Sequence, residues 1–79
     1  MPKYFFNIRR GSETTADDEG LYLPDIDAVR EEARRSAREM ITQEALTGYI
    51  HPDQSFIVTD QFGQIVLTLN FKAALKPTK

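Results

Sequence analysis

"SFIVTDQFGQIVLTLNF", residues 55–71, is the stretch on which the fold turns. β-Branched and aromatic residues fill both flanks of "DQFG", which is the composition of two strands around a turn. Asp60 offers a carboxylate to the backbone N–H groups of its own turn, and Gly63 supplies the positive φ that follows a type I turn. We therefore expect strands over 55–60 and 64–71, joined as a hairpin with a bulge. Ile65, Leu67, Leu69 and Phe71 fall on one face of the second strand.

Working back from the hairpin, the spacing predicts a helix over 25–47. Pro24 forces Leu23 out of helical geometry. Asp25 is placed to cap the first turn, and Asp27 sits where the helix dipole favours negative charge. Ile26, Val29, Ala33, Ala37, Met40 and Ile41 recur at helical spacing within about 120° of arc. Gly48 suits the position just past the last turn, and Pro52 prevents resumption. Ala33, Ser36 and Ala37 line the centre of the helix, so bulky sheet residues such as Tyr4 and Phe6 can come close to its backbone.

Further upstream, "KYFFNIRR" (3–10) reads as a strand with Tyr4, Phe6 and Ile8 on one side and Phe5, Asn7 and Arg9 on the other. "GSETTADDEG" (11–20) reads as a polar loop, and "LYL" (21–23) as a short strand returning beside the first. Asp17 and Gly20 repeat the Asp-x-x-Gly spacing of Asp60 and Gly63, so turn chemistry explains the acidic run. Residues 72–79 are expected to make a helical turn and then fray. Together these elements predict an α+β fold, β-β-α-β-β. Its sheet has three or four mainly antiparallel strands, with one long amphipathic helix packed on one face. The domain spans 1–75, with a disordered tail at 76–79.

The chain has 79 residues, no cysteine and one histidine. A domain this short buries only about 60–65 % of the surface its unfolded chain exposes, so it needs a staple. Without cysteine there is no disulfide, no thiolate nucleophile and no thiolate zinc site; His51 alone makes no His-rich metal cluster. A partner chain is the staple that remains. Ten Lys+Arg against twelve Asp+Glu give a net charge of −2, which argues against general nucleic-acid affinity. No apolar run approaches the roughly 20 residues of a membrane span, and residues 1–10 lack a signal-peptide pattern. A soluble cytoplasmic protein without a cofactor is the expectation.

Four groups of residues are candidates for chemistry. Asp17, Asp18, Glu19, Asp25 and Asp27 form an acidic cluster. Aligning Gly20 with the loop glycine of an EF-hand puts Thr15 first and Ile26 twelfth, so that motif fails at both ends and leaves only a weak divalent-ion contact. Arg30, Arg34 and Arg38 stack along one side of the helix, an anion-binding ridge or a solvated ion-pair face with Glu31 near Arg34 and Arg35. Lys3, Arg9 and Arg10 interleave with Tyr4 and Phe5, the pattern of a single-strand nucleic-acid platform or simply of a core strand. His51 has Asp53 nearby, but Ser12, Ser36 and Ser55 sit in no nucleophile motif, so no catalytic residue is assigned.

With these residues placed, the chain resembles a family of small bacterial proteins known only as a domain of unknown function. The resemblance rests on "YFFNIR", "DDEGLYLPDIDAVREEARRSAREM" and "DQFGQIVLTLNF", in that order from Tyr4 to Phe71. It implies one helix on an antiparallel sheet and brings no activity, cofactor or catalytic residue with it.

The geometry adds one expectation. A 23-residue helix is about 34 Å long against about 20 Å for a six-residue strand. Met40, Ile41, Ala45 and Leu46 therefore overhang the sheet, whose second face would carry Phe5, Ile57 and Val66. We expect a homodimer with Phe5, Met40, Ile41, Ile57 and Val66 at its interface, closed through sheet edges, sheet faces or a hairpin swapped about a hinge at 48–54. The alternative is an accessory nucleic-acid or phosphate-binding protein using Arg30, Arg34, Arg38, Lys3, Arg9 and Arg10.

Overall fold

The computed structural model describes residues 1–49, 51 and 53–75. Its elements are β1 (Lys3–Arg10), β2 (Glu13–Thr15), β3 (Leu21–Tyr22), α1 (Ile26–Thr47), β4 (Gln54–Asp60), β5 (Ile65–Asn70) and a closing 3-10 turn (Phe71–Leu75). The strands form one five-stranded sheet in the order β2-β1-β4-β5, with β3 also on β1, and every pairing is antiparallel. One helix covers one face, so the expected α+β fold is the one observed. The proposed tail at 76–79 lies outside the described residues.

The hairpin forms as its sequence dictates. The Asp60 Oδ1 accepts the N–H groups of Phe62 (2.8 Å) and Gln64 (3.0 Å), and the Gly63 N–H bonds Asp60 O (3.1 Å). Gly63 takes φ 84°, the left-handed value that only glycine adopts freely. The register runs from Ser55↔Asn70 to Val58↔Leu67, then shifts to Thr59↔Ile65. That bulge leaves Val66 as the extra residue of β5.

The helix begins at its predicted cap, with Asp25 Oδ1 accepting the Ala28 N–H at 2.9 Å. It stops at Gly48, φ 89°, whose N–H bonds Ala45 O while that of Tyr49 bonds Glu44 O. Val29, Ala33 and Ala37 are fully buried, and two of these three are the smallest side chains that still favour a helix. They let α1 settle onto Tyr4, Phe56, Val58 and Leu69. Phe56 anchors this layer, edge-on to Phe6 (5.9 Å, 89°) and tilted against Phe71 (4.9 Å). The closing turn does not fray within 71–75: Phe71 and Ala74 are buried, and the Arg38 Nε donates to Ala74 O at 2.9 Å.

One expected loop is partly a strand. Within the polar segment 11–20, Glu13–Thr15 pairs with β1 as Ile8↔Thr15, Arg9↔Thr14 and Arg10↔Glu13. All three residues of β2 are exposed, so no apolar alternation betrays it; backbone pairing along a free edge of β1 suffices. β3 occupies the same edge farther along, as Lys3↔Tyr22 and Tyr4↔Leu21.

Candidate interaction surface

The acidic turn bridges the gap between β2 and β3. Asp17 Oδ2 accepts the Phe6 N–H at 3.0 Å, while Oδ1 accepts those of Glu19 (3.1 Å) and Gly20 (3.2 Å). The Asp17 N–H in turn donates to Asn7 Oδ1 at 2.9 Å. A carboxylate thus stands in for the missing strand at mid-β1. Burial pushes the Asp17 carboxyl up, but the N–H groups of Phe6, Gly20 and Glu19 and the charge of Lys3 outweigh it and hold the group below its ordinary value. Gly20 is required twice over: its φ is +73°, and a Cβ there would stand 2.9–3.0 Å from Lys3 Cε, Phe5 Cε2 and Tyr4 O. Among the described residues, no group of three or more His, Cys, Asp or Glu gathers at metal-binding range.

The arginines of α1 are engaged locally. Arg30 pairs with Asp27 at 3.3 Å, and Arg38 is bound to the closing turn. Arg35 takes both Glu32 (2.7 Å) and Glu39 (2.8 Å). Arg34 lies half-buried on the same ridge. The strand cations do not converge. The Lys3 ammonium sits between the rings of Phe5 (5.6 Å) and Tyr22 (5.4 Å), at one end of β1. Arg10 lies at the other end, and its guanidinium donates to Gln54 Oε1 at 3.0 and 3.3 Å. Arg9 is exposed between Thr14 and Ser55.

Arg10 leads to a polar knot that sequence reasoning missed. Gln54 is fully buried; its Nε2 donates to both Glu44 oxygens (3.1 and 3.0 Å) and to His51 O (3.3 Å). The His51 N–H donates to Glu44 Oε1 at 3.1 Å, with its Nδ1 at 3.5 Å from Oε2 and the Arg10 guanidinium at 3.7 Å. Burial raises the Glu44 carboxyl, yet the bonds from His51 and Gln54 and the charges of His51 and Arg10 prevail and lower it. The knot ties the end of α1 to the start of β4 across the expected hinge. Its members are separated by 3 to 44 residues, so no local motif announces it.

The five expected interface residues separate into two groups. Phe5 and Ile57 are half-buried on the face opposite α1, as anticipated. Between them Asn7 donates to Ile57 O at 3.0 Å and to Thr59 Oγ1 at 3.4 Å, and Thr68 and Ser55 share that face. The open face is therefore mixed rather than uniformly apolar. Met40, Ile41 and Val66 pack against the core cluster instead; the bulge puts Val66 there. Large apolar side chains that reach water include Phe62 (81 %), Ile65 (64 %), Leu75 (63 %) and Leu46 (82 %), with Met1, Leu21, Tyr22, Ile26 and Tyr49 also exposed. Of the overhanging helix residues, Ala45 and Leu46 are exposed.

Two shallow grooves, about 280 and 300 Å³, lie along the C-terminal half of α1, lined by Met40, Gln43, Glu44 and Thr47 and by Arg38, Glu39, Thr42 and Gln43. Among the described residues no helix is long and apolar enough to cross a membrane. What this architecture defines is a small α+β domain, one helix on an antiparallel sheet, with large apolar side chains left exposed. The chain belongs to the family described as a domain of unknown function, DUF6894, whose model matches residues 3–72. It matches no curated protein and no solved structure.

Proposed function

We propose that the chain is a non-enzymatic protein-interaction module that works in the cytoplasm as a homodimer. The observation that carries this reading is the apolar surface one copy leaves in water. Phe62, Ile65, Leu75, Leu46, Tyr22 and Tyr49 are exposed around a core of nine apolar residues, three of which are alanines. A small core gives modest stability, and a second copy that covers part of this surface adds buried area where one chain lacks it. The non-enzymatic part is supported by the two grooves, which are shallow and open to solvent. The phosphate reading draws less support, because Arg30 and Arg38 already have partners within the chain.

Sedimentation equilibrium at micromolar concentration tests the proposal. The expected particle has twice the 9.0 kDa mass of the chain. A 9.0 kDa particle at every concentration overturns it. A salt-sensitive mobility shift with single-stranded DNA or RNA would favour the nucleic-acid reading instead.

A further inference from the structure

The two edges of the sheet are finished differently. Along the outer edge of β1, β2 covers Ile8–Arg10, β3 covers Lys3–Tyr4, and Asp17 takes the Phe6 N–H between them. The other edge is β5, beyond which no strand lies among the described residues. Its sequence, IVLTLN, contains neither charge nor proline, two of the devices that keep an edge from pairing. The bulge affects only its first residues and leaves Leu67–Asn70 in regular register. Exposed apolar side chains stand at both ends: Phe62 and Ile65 where β5 begins, Leu75 just after it ends.

We infer that β5 pairs antiparallel with β5 of a second copy, joining two sheets into one; this rests on the homodimer reading and names its surface. The match lies in the strand itself. A two-fold axis perpendicular to the sheet sets one residue opposite its own copy. Centred on Thr68, it places Leu67 of each chain opposite Leu69 of the other. The start of each β5 then lies against the end of the other. By the same register Ile65 of one copy stands opposite Phe71 of the second, and the Phe62 turn of each chain faces the closing turn that carries Leu75 of the other. Charge agrees with the same register: Lys72, just past the end of β5, stands opposite Gln64 of the second copy, whose N–H donates to the carboxylate of Asp60 at the end of β4. The unpaired N–H and C=O groups of the edge find partners, and both helices lie on the same side of the joined sheet.

The absence of native cysteine gives a clean test. Thr68 is exposed, so a Thr68→Cys variant folds with its thiol on the open face near the two-fold axis. Across such a pair the Cβ atoms stand about 4.5–5.5 Å apart, close enough for a short bifunctional thiol reagent. Thr14→Cys, on β2 at the far edge, is the control. The expected result is a dimer by light scattering, with covalent dimer from the Thr68 variant and none from the Thr14 variant. Leu75→Glu should raise the dimer dissociation constant by about tenfold or more. A dimer that Thr68→Cys fails to trap, or that Leu75→Glu leaves unchanged, overturns the β5 pairing and leaves the homodimer reading standing. A monomer by light scattering overturns both.

Discussion

Asp17→Ala removes the carboxylate that substitutes for a strand at the centre of β1. Three backbone N–H groups lose their acceptor, those of Phe6, Glu19 and Gly20. The last two lie near the surface of the turn and find water in its place. The Phe6 N–H sits in the gap between β2 and β3, against the sheet, and is the harder one to satisfy. At about 1 kcal/mol for each bond, more where the acceptor is charged, and with partial replacement by water, the loss is roughly 2–3 kcal/mol. For a domain of this size that lowers Tm by about 10–20 °C. Far-UV circular dichroism during urea and thermal unfolding reads the change, and hydrogen exchange at the Phe6 amide localises it. Asp18→Ala, one residue along, should stay within about 0.5 kcal/mol of the parent. The sign with pH follows from the lowered Asp17 carboxyl. Its contribution is complete above the unfolded-state value and is lost as pH falls through the folded value, so Asp17→Ala should matter at pH 7 and converge on the parent in acid. If Asp17→Ala melts with the parent at pH 7, the strand-substitute role is wrong.

Other perturbations report on neighbouring parts of the account. Gly20→Ala should destabilise more than Gly11→Ala in chemical denaturation: both have positive φ, but only at Gly20 does the new Cβ meet atoms at 2.9–3.0 Å. Ala33→Leu forces a larger side chain between α1 and the sheet and should lose about 1–3 kcal/mol in urea; an unchanged midpoint would mean the helix does not pack as closely as its small residues require. Glu44→Gln removes the lowered carboxyl of the polar knot, whose contribution vanishes as pH falls through the folded-state value. Its stability should therefore vary less between pH 7 and pH 3 than the parent's, and an equal acid slope would exclude the knot as a source of pH dependence.

The local chemistry of this fold is written in short stretches and was legible. Asp25, Gly48 and the Asp60–Gly63 turn act within a few residues of themselves, so type and spacing alone place them. Asp17 belongs to the same class, but its bond to Phe6 spans 11 residues and depends on where β2 and β3 land. β2 itself was hidden because an edge strand exposed on every residue carries no apolar alternation. Val66 was misplaced for a related reason: one shifted register reverses a side chain, and the bulge arises from pairing with β4. The knot of Arg10, Glu44, His51 and Gln54 joins a strand, a helix end, a linker and a second strand, so it becomes visible only once the chain is folded. Met40 and Ile41, read both as part of the apolar helix stripe and as overhang, pack against the core cluster as the stripe implies.

The proposed role depends on exposed apolar surface that seeks a second copy of the same chain. Hydrogen exchange followed by mass spectrometry, at submicromolar and at high micromolar protein, interrogates that surface directly. Amides in the span from Phe62 to Leu75 should gain protection as concentration rises, while those of β2 do not change. Exchange that is identical at both concentrations throughout the chain would contradict self-association.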